Sequence, residues 1–225
     1  MIYIFISEFD CQNKSNIQDN KRDCRIIRQP LRHFTDSVAE YIENTKNESV
    51  KKERKLAYST LFCSLKAFFS LDAPELLRTE NGKPYLKDSN ISISLSHSDG
   101  AVAVCISDEG EVGVDLQSEI DSERQKRLEG RFFTDFDAQS EKLSAEYYLC
   151  TFCDNEVIFE SINPDVSDTD SFSAKWSAAE SLMKLSGGGF GDITSLLRLA
   201  EESKTDVRKI DLNRKYYLAI SVKES

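Results

Sequence analysis

Residues 91–117 carry three strand patterns in succession, separated by two short turns. The first, residues 91–96, alternates strictly between apolar side chains and serines, which is typical of a strand buried on one face. An Asp99-Gly100 turn leads into an apolar second strand, and a turn at Gly110 leads into the third. Three strands joined by tight turns are therefore the framework predicted for this region.

The rest of the chain adds helices and strands on both sides of this framework. Helical spacing predicts a long helix over residues 50–69, whose core face carries Ala57, Leu61, Leu65 and Phe68. Further helices are predicted over residues 35–43, 120–132 and 197–204 and around Trp176, and further strands over residues 1–7, 156–160 and 216–222. Because each half offers helices followed by strands, the sequence predicts an α+β protein. Its two similar lobes, residues 1–108 and 109–225, would each be a small sheet packed on helices.

The overall charge narrows the classes of partner. The 225 residues carry a formal net charge of −10, which argues against a general nucleic-acid-binding protein. No apolar run reaches the length of a transmembrane helix, and the short apolar start is followed by Glu8 and Asp10, unlike a signal peptide. We therefore expect a cytoplasmic protein without nucleic-acid or membrane partners.

The six cysteines are spaced irregularly, and free thiols are the expectation for such a chain. Cys63 and Cys105 lie within apolar patterns and are predicted to be buried. Cys150 and Cys153 form a lone CxxC pair, and a zinc site would need two more ligands in a chain with only two histidines. Structural zinc is therefore not expected.

Polar side chains stand out on two of the three strands. Asp115 and Gln117 project together from the face opposite the apolar residues of the third strand. An aspartate within a strand is costly to bury, so either a metal ion or a hydrogen-bond network is needed to hold Asp115, and the sequence leaves both open. His97 ends the first strand, where a lone histidine is more often a hydrogen-bonded structural residue than a ligand.

Trp176, Glu180 and Lys184 follow one another at four-residue intervals and line one face of a helix that ends at Gly187. One interpretation is a buried tryptophan beside a solvated Glu–Lys pair. The other is one wall of a catalytic site, built from an acid, a base and an aromatic ring next to a glycine loop. The stripe alone does not decide between them.

Taken together, these motifs resemble the 4′-phosphopantetheinyl transferases. That family is marked by a G-(I/V)-D-(I/L/V)-E segment and, later in the chain, by a W-(S/T)-x-K-E-(A/S)-x-x-K segment ahead of a glycine. The corresponding segments are residues 113–117 and 176–184, and weaker family motifs occur in the correct order as GKP at 82–84, SH at 96–97 and RFF at 131–133. The resemblance spans residues 50–222. It implies the larger subfamily, in which two lobes form a pseudodimer and the chain acts as a monomer.

The resemblance implies an enzyme that transfers the 4′-phosphopantetheine arm of coenzyme A to a serine of an apo acyl or peptidyl carrier protein, releasing adenosine 3′,5′-bisphosphate. Such chemistry needs a cation to neutralise charge on the phosphates and a base for the serine proton. By resemblance, Asp115 and Glu180 hold Mg²⁺, or alternatively Mn²⁺, with Gln117 at the third metal position. Glu180 is also the general base and Lys184 steadies the phosphates, so the expected catalytic residues are Asp115, Glu180 and Lys184.

Coenzyme A would be the co-substrate, and the resemblance places its phosphates against Lys83, Ser96, His97 and Lys184. Arg54 matches a family arginine near the 3′-phosphate. Carriers of fatty-acid, polyketide and nonribosomal-peptide biosynthesis all remain open as partners.

Four positions depart from the family pattern. Gln117 stands where a second glutamate is common, Ser94 where asparagine is frequent, and Asp137 roughly replaces a glutamate. Ala179 replaces a lysine, which predicts a lost positive charge near the phosphates or the carrier. Gln117 and Ala179 motivate a second interpretation, a degenerate family member that binds coenzyme A or a carrier without transfer. A third is a metal-dependent phosphohydrolase that shares only the carboxylate pair.

Residues 134–170 correspond to the family's carrier-recognition loop and are unusually acidic. Carrier proteins of this family are acidic too, so like charges would disfavour docking on this segment. We therefore expect the carrier to dock on a more basic or apolar surface.

Overall fold

A computed structural model describes residues 1–9, 26–30, 34–132, 140–153, 155–166, 170–187 and 193–224. This part of the chain forms twelve strands and five helices. In chain order they are β1 (Ile2–Glu8), β2 (Ile26–Pro30), α1 (Asp36–Glu43), α2 (Glu48–Phe69), β3 (Leu76–Arg78), β4 (Pro84–Leu86), β5 (Ser92–Ser98), β6 (Ala101–Ser107), β7 (Gly110–Ser118), α3 (Ser122–Phe132), β8 (Ala145–Cys153), β9 (Glu156–Ile162), β10 (Asp165–Val166), α4 (Phe172–Ser186), α5 (Ile193–Glu201), β11 (Lys204–Asp211) and β12 (Lys215–Glu224). Mixed helices and sheets confirm the predicted α+β class.

The strands form three sheets. A six-stranded sheet has the order β2-β9-β8-β1-β6-β5, a four-stranded sheet has the order β10-β11-β12-β7, and β3 pairs with β4. In the larger sheet, β1 is antiparallel to β6 and parallel to β8. Strands β8 and β9 thus return from the second half of the sequence to the sheet that begins with β1. The division into lobes at residue 108 stays a prediction, and the six-stranded sheet does not follow it.

The two larger sheets pack face to face, with helices on their outer faces. Side chains alternate along a strand, so Ile4 of β1 faces the four-stranded sheet while Phe5 faces α2. One apolar cluster lies between the two sheets, a second lies between α1, α2 and the six-stranded sheet, and a third lies between α4, α5 and the four-stranded sheet. The resulting order is helices, sheet, sheet, helices. The predicted core face of α2 is confirmed, because Leu61 and Leu65 are fully buried.

Four serines join the two sheets at one edge. They are Ser92, Ser94, Ser96 and Ser98 of β5, and we call them the serine seam. Their hydroxyl oxygens accept the backbone N–H groups of β7 twenty residues further on, at 3.1, 3.0, 3.0 and 3.2 Å for Val112, Val114, Leu116 and Ser118. Strands β5 and β7 are therefore linked through side chains.

Helix α4 lies unusually close to β7. A Cβ atom added to Gly113 would sit 2.0 Å from the carbonyl oxygen of Ser181 and 2.5 Å from the backbone nitrogen of Leu185. The Ser177 hydroxyl bonds the carbonyl oxygens of Asp115, at 3.2 Å, and Tyr217, at 3.3 Å. Small residues on both sides thus bring the helix backbone against the strand and fix which of its side chains face Asp115.

Helix α4 has well-defined ends. The Ser171 hydroxyl accepts the Ala174 N–H at 3.2 Å as an N-cap, and Gly187 ends the helix in the left-handed conformation at φ 69°. The predicted stop at Gly187 is therefore confirmed. Residues 188–190 of the predicted glycine loop lie outside the described residues.

None of the described cysteines forms a disulfide, and Cys63, Cys105 and Cys150 are buried while Cys153 is exposed. This confirms the prediction for these four, and Cys11 and Cys24 lie outside the described residues. Among the described helices, none combines the length and the apolar composition that a membrane-spanning helix requires.

Candidate functional site

Asp115 lies on the face of β7 that is covered by α4, and only 3% of its surface is exposed. Its Oδ1 atom accepts hydrogen bonds from the Lys184 ammonium at 2.7 Å and from the Ser96 hydroxyl at 2.9 Å. Its Oδ2 atom is buried and has no hydrogen-bond partner among the described residues. Asp115 is thus held through Oδ1, and its carboxylate also interacts with the neighbouring Glu180 carboxyl group.

The Ser96 hydroxyl is fully occupied. It donates to Asp115, and it accepts from the Lys184 ammonium at 2.8 Å and from the Leu116 N–H at 3.0 Å. A hydroxyl has one hydrogen and two lone pairs, so this arrangement leaves it no free position. The contact between Ser96 and a coenzyme phosphate stays a prediction. If the phosphate bound to the Ser96 hydroxyl, one of these three hydrogen bonds would have to break.

Glu180 lies one helical turn before Lys184 and faces the same site. Burial raises the pKa of Glu180 to about 7, the negative charge of Asp115 adds to the rise, and the Lys184 ammonium opposes it. Trp176, one turn earlier again, is buried and also interacts with Glu180. The stripe of Trp176, Glu180 and Lys184 therefore faces a buried carboxylate. The predicted burial of Trp176 is confirmed, and Glu180 and Lys184 are half-buried near Asp115 rather than on a solvated face.

Gln117 is buried on β7, two residues beyond Asp115. Its amide nitrogen donates to the backbone oxygen of Ser118 at 2.9 Å. In the described part of the chain, no three His, Cys, Asp or Glu side chains come together as a metal-binding group. A metal site here would rest on Asp115 and Glu180, and the role of Gln117 as a third ligand stays a prediction.

These two carboxylates fit a small divalent cation. Asp115 Oδ2 is a buried oxygen without a hydrogen bond from a described residue, and the pKa of Glu180 is raised partly by the neighbouring negative charge. A cation bound by both would satisfy the oxygen and relieve the repulsion. Mg²⁺ commonly uses one or two carboxylates together with phosphate and water, and Mn²⁺ accepts the same oxygens.

A cleft of about 270 Å³ opens beside the carboxylate pair. Four of the residues assigned to coenzyme binding by resemblance line it, namely Arg54, Lys83, His97 and Lys184. Ser94 lines the cleft as well. The cleft is thus concave and positively charged. Its side chains come from α2, β5, α4 and the turn before β4.

Two arginines share one tyrosine ring in this cleft. The guanidinium carbon of Arg78 lies 3.7 Å from the centre of the Tyr41 ring, and that of Arg54 lies 4.6 Å from it. Arg78 also donates to the Gly82 carbonyl oxygen at 3.0 Å and to the Tyr58 hydroxyl. No local sequence pattern distinguishes Arg78, because only the pairing of β3 with β4 brings it to the cleft.

Lys83 ties the turn before β4 to α4. Its ammonium donates to the Leu185 carbonyl oxygen at 2.9 Å and to the Glu111 carboxylate at 3.0 Å. Arg54 donates to the Thr45 hydroxyl at 2.8 Å. Both cations are therefore held by protein groups at the wall of the cleft.

His97 is paired with the carboxylate of Glu53, which no motif of the sequence marks. Its Nδ1 atom lies 2.8 Å from the Glu53 carboxylate. Partial burial lowers the pKa of His97, whose side chain is 36% exposed, the charge of Glu53 opposes this, and the nearby Lys184 lowers the pKa further. His97 is therefore bonded to a carboxylate at the wall of the cleft, and its contact with a coenzyme phosphate stays a prediction.

Ala179 does not face the cleft. It is fully buried, in the apolar cluster that includes Leu182 and Leu196. A missing charge at this position therefore gives no reason to expect weak coenzyme binding in this chain. Of the remaining sequence assignments, the side chain of Arg131 and residues 133–139, with Asp137, lie outside the described residues.

Comparison with known proteins adds no support for the resemblance to the 4′-phosphopantetheinyl transferases, which therefore depends on the sequence motifs alone. No protein-family model matches the chain, and no curated protein sequence matches it significantly.

Proposed function

We propose that the chain is a 4′-phosphopantetheinyl transferase that moves the 4′-phosphopantetheine arm of coenzyme A to a serine of an apo carrier protein. The observation that carries the proposal is the Lys184 ammonium. It bonds Asp115 at 2.7 Å, and it also lines the cleft that holds Arg54, Lys83 and His97. One side chain thereby connects a carboxylate pair suited to a cation with a basic cleft suited to phosphates.

The reaction is an attack of the carrier serine oxygen on the pyrophosphate phosphorus that bears the pantetheine arm. A new P–O bond forms to the serine, and the P–O bond to adenosine 3′,5′-bisphosphate breaks. A bound Mg²⁺ would supply positive charge for the pyrophosphate oxygens, held by Asp115 and Glu180.

Glu180 would accept the serine proton, because its carboxyl group faces the site one helical turn before Lys184, which lines the cleft. Lys184 carries positive charge between Asp115 and the cleft, where it would face the phosphates. Ser96 keeps Asp115 and Lys184 in register through its two contacts with them.

The proposal also includes the lobe organisation, the oligomeric state and the surface on which the carrier docks. Two similar lobes, divided near residue 108, would form a pseudodimer within a single cytoplasmic chain that acts as a monomer. The acidic carrier would dock away from the acidic residues 134–170, since like charges repel.

The decisive experiment adds coenzyme A and Mg²⁺ to the purified protein with a panel of apo carriers from fatty-acid, polyketide and nonribosomal-peptide synthesis. Mass spectrometry is expected to show one phosphopantetheine added to at least one carrier. Coenzyme A binding without transfer to any carrier would favour the degenerate binding protein. Hydrolysis of coenzyme A without a carrier would favour the phosphohydrolase.

Replacing Arg78 by methionine is expected to weaken coenzyme A binding by about tenfold, since a desolvated charge-assisted bond contributes on the order of 1.5 kcal/mol. Titration calorimetry would measure the dissociation constants. The matched control is Arg198→Met, because Arg198 is exposed on α5 and pairs with Glu202. Equal affinity of the Arg78 variant and the wild type would exclude a contact between Arg78 and the coenzyme.

In metal-free buffer, Glu180→Gln is expected to raise the free energy of unfolding by about 3 kcal/mol at pH 8 and by less than about 1 kcal/mol at pH 5. Burial first, and the charge of Asp115 second, raise the pKa of Glu180 from 4.5 to about 7. The contribution of such a carboxyl to stability is complete below its unfolded-state pKa and is lost as the pH rises through 7. Glutamine does not ionise, so the free energy of unfolding of the variant does not fall in this way as the pH rises.

Urea denaturation at the two pH values would measure this difference. The control is Glu201→Gln, which removes an exposed carboxyl of α5 and should change the free energy of unfolding by less than about 0.5 kcal/mol at either pH. A change of the same size at pH 5 and pH 8 would show that the stabilisation does not come from the ionisation of Glu180.

A further inference from the structure

Glu53 is a buried carboxylate at the back of the cleft, with 7% of its surface exposed. It belongs to α2, directly before Arg54, and it reaches across to the hairpin of β5 and β6. One of its oxygens lies 2.8 Å from His97 Nδ1, and the other accepts the backbone N–H of Gly100 at 2.9 Å. Both carboxylate oxygens thus bind groups of the β5–β6 hairpin, and the His97 ring is held through its Nδ1 atom.

This contact sets the position of the hydrogen on the His97 ring. A carboxylate only accepts hydrogen bonds, so Nδ1 must carry the hydrogen that lies between His97 and Glu53. The other nitrogen, Nε2, is then a lone-pair acceptor in the neutral ring and becomes a donor only when the ring takes up a proton. Because His97 lines the cleft, Nε2 is the atom of the ring available to a ligand there.

The charges around the ring oppose each other. Glu53 favours the protonated ring, whereas Arg54 of the same helix and Lys184 of α4 disfavour it, as does burial. An anion in the cleft would offset the two cations and offer an acceptor to Nε2.

We propose that Glu53 is a positioning residue that fixes the His97 ring with Nε2 toward the cleft and makes His97 take up a proton when a phosphate group binds there. Resting on the proposed function, the phosphate is one of those of coenzyme A. Glu53 touches no ligand in this arrangement and acts only through His97.

The first test measures the ring itself and needs no ligand. The chain has two histidines, so His33→Gln leaves His97 as the only histidine signal in a nitrogen-15 spectrum. At a pH where the ring is neutral, the hydrogen is expected on Nδ1. Adding Glu53→Gln keeps an acceptor for the Gly100 N–H but turns an amide N–H₂ toward Nδ1, so the hydrogen should move to Nε2 and His97 should titrate at lower pH.

Glu48→Gln is the matched control, because Glu48 is an exposed carboxylate in the first turn of the same helix. It should leave both the tautomer and the titration of His97 unchanged. A wild-type ring with its hydrogen on Nε2, or a Glu53 variant that titrates like the wild type, would overturn the proposal.

The second test measures proton uptake when coenzyme A binds, by calorimetry in two buffers with different ionisation enthalpies. The wild type and Glu48→Gln are expected to take up more protons at pH 6.5 than Glu53→Gln, which should bind on the order of tenfold more weakly there. The difference should shrink by pH 8.5, where the ring is neutral in all three proteins. Comparison with the variants also cancels the titration of the coenzyme's own phosphate.

Equal weakening of Glu53→Gln at both pH values would mark a purely structural role and overturn the proposal. If coenzyme A did not bind the wild type at all, the proposed function and the phosphate role of His97 would both fail. The tautomer measurement would still decide whether Glu53 positions the ring.

Discussion

Asp115→Asn is expected to reduce carrier modification by on the order of 10³-fold or more, because a lost metal-site carboxylate removes several kcal/mol of charge stabilisation. The substitution keeps the shape of the side chain and removes its charge. It leaves the Lys184 ammonium without the anionic partner at 2.7 Å and replaces one of the two carboxylates that fit Mg²⁺. Transfer of the phosphopantetheine mass to an apo carrier, followed over time, measures the loss.

Asp211→Asn serves as the control for this experiment, since Asp211 is exposed at the end of β11 and pairs with Lys209 at 3.1 Å. It should keep full activity. Circular dichroism of both variants would establish that they are folded. If folded Asp115→Asn protein modified the carrier at the wild-type rate, the carboxylate pair would not be the catalytic centre, and the proposed function would lose its main support.

Gly113→Ala is expected to lower the free energy of unfolding by about 3 kcal/mol or more, since overpacking against a backbone cannot be relieved by a side-chain rotation. The added Cβ would lie 2.0 Å from the Ser181 carbonyl oxygen and 2.9 Å from the Leu185 Cα atom. Both are backbone atoms of α4, so the whole helix must shift. Chemical denaturation would give the size of the loss.

Gly82→Ala separates two effects of replacing a glycine, which are backbone strain at a positive φ and a steric clash of the added Cβ. Gly82 has a φ of 85°, and no atom of the described residues lies within 4 Å of an added Cβ, so its replacement introduces backbone strain without a clash with them. We expect a loss of about 1 kcal/mol there. A Gly113 variant as stable as the Gly82 variant would show that α4 does not pack on β7 as closely as described.

Sequence patterns predicted the parts of this site that depend on a single element. Period-two alternation placed Asp115 opposite the core residues of β7, and four-residue spacing placed Glu180 and Lys184 on one face of α4. Both predictions need only local geometry, which the side-chain period of a strand or helix fixes. The order of the motifs along the chain then suggested that these faces meet.

The contacts between distant elements were beyond the sequence. Glu53 lies within a helical pattern and bonds His97 forty-four residues away, across the interface of α2 with the β5–β6 hairpin. Nothing in the periodicity distinguishes it from a solvated glutamate. The same holds for Arg78, whose place in the cleft depends on β3 pairing with β4, and for Ala179, whose burial depends on how α5 covers α4.

In the serine seam, the two larger sheets are attached to each other by individual side chains. In an ordinary sheet, neighbouring strands are joined by backbone groups that every residue type except proline supplies in full, so most point mutations leave these bonds in place. Between β5 and β7 each link is a hydroxyl, so Ser→Ala deletes one link and leaves both strands chemically intact. Because β5 carries cleft residues and β7 carries Asp115, the mechanical coupling between the phosphate side and the carboxylate side of the site can be loosened one link at a time, in steps of about 1–3 kcal/mol.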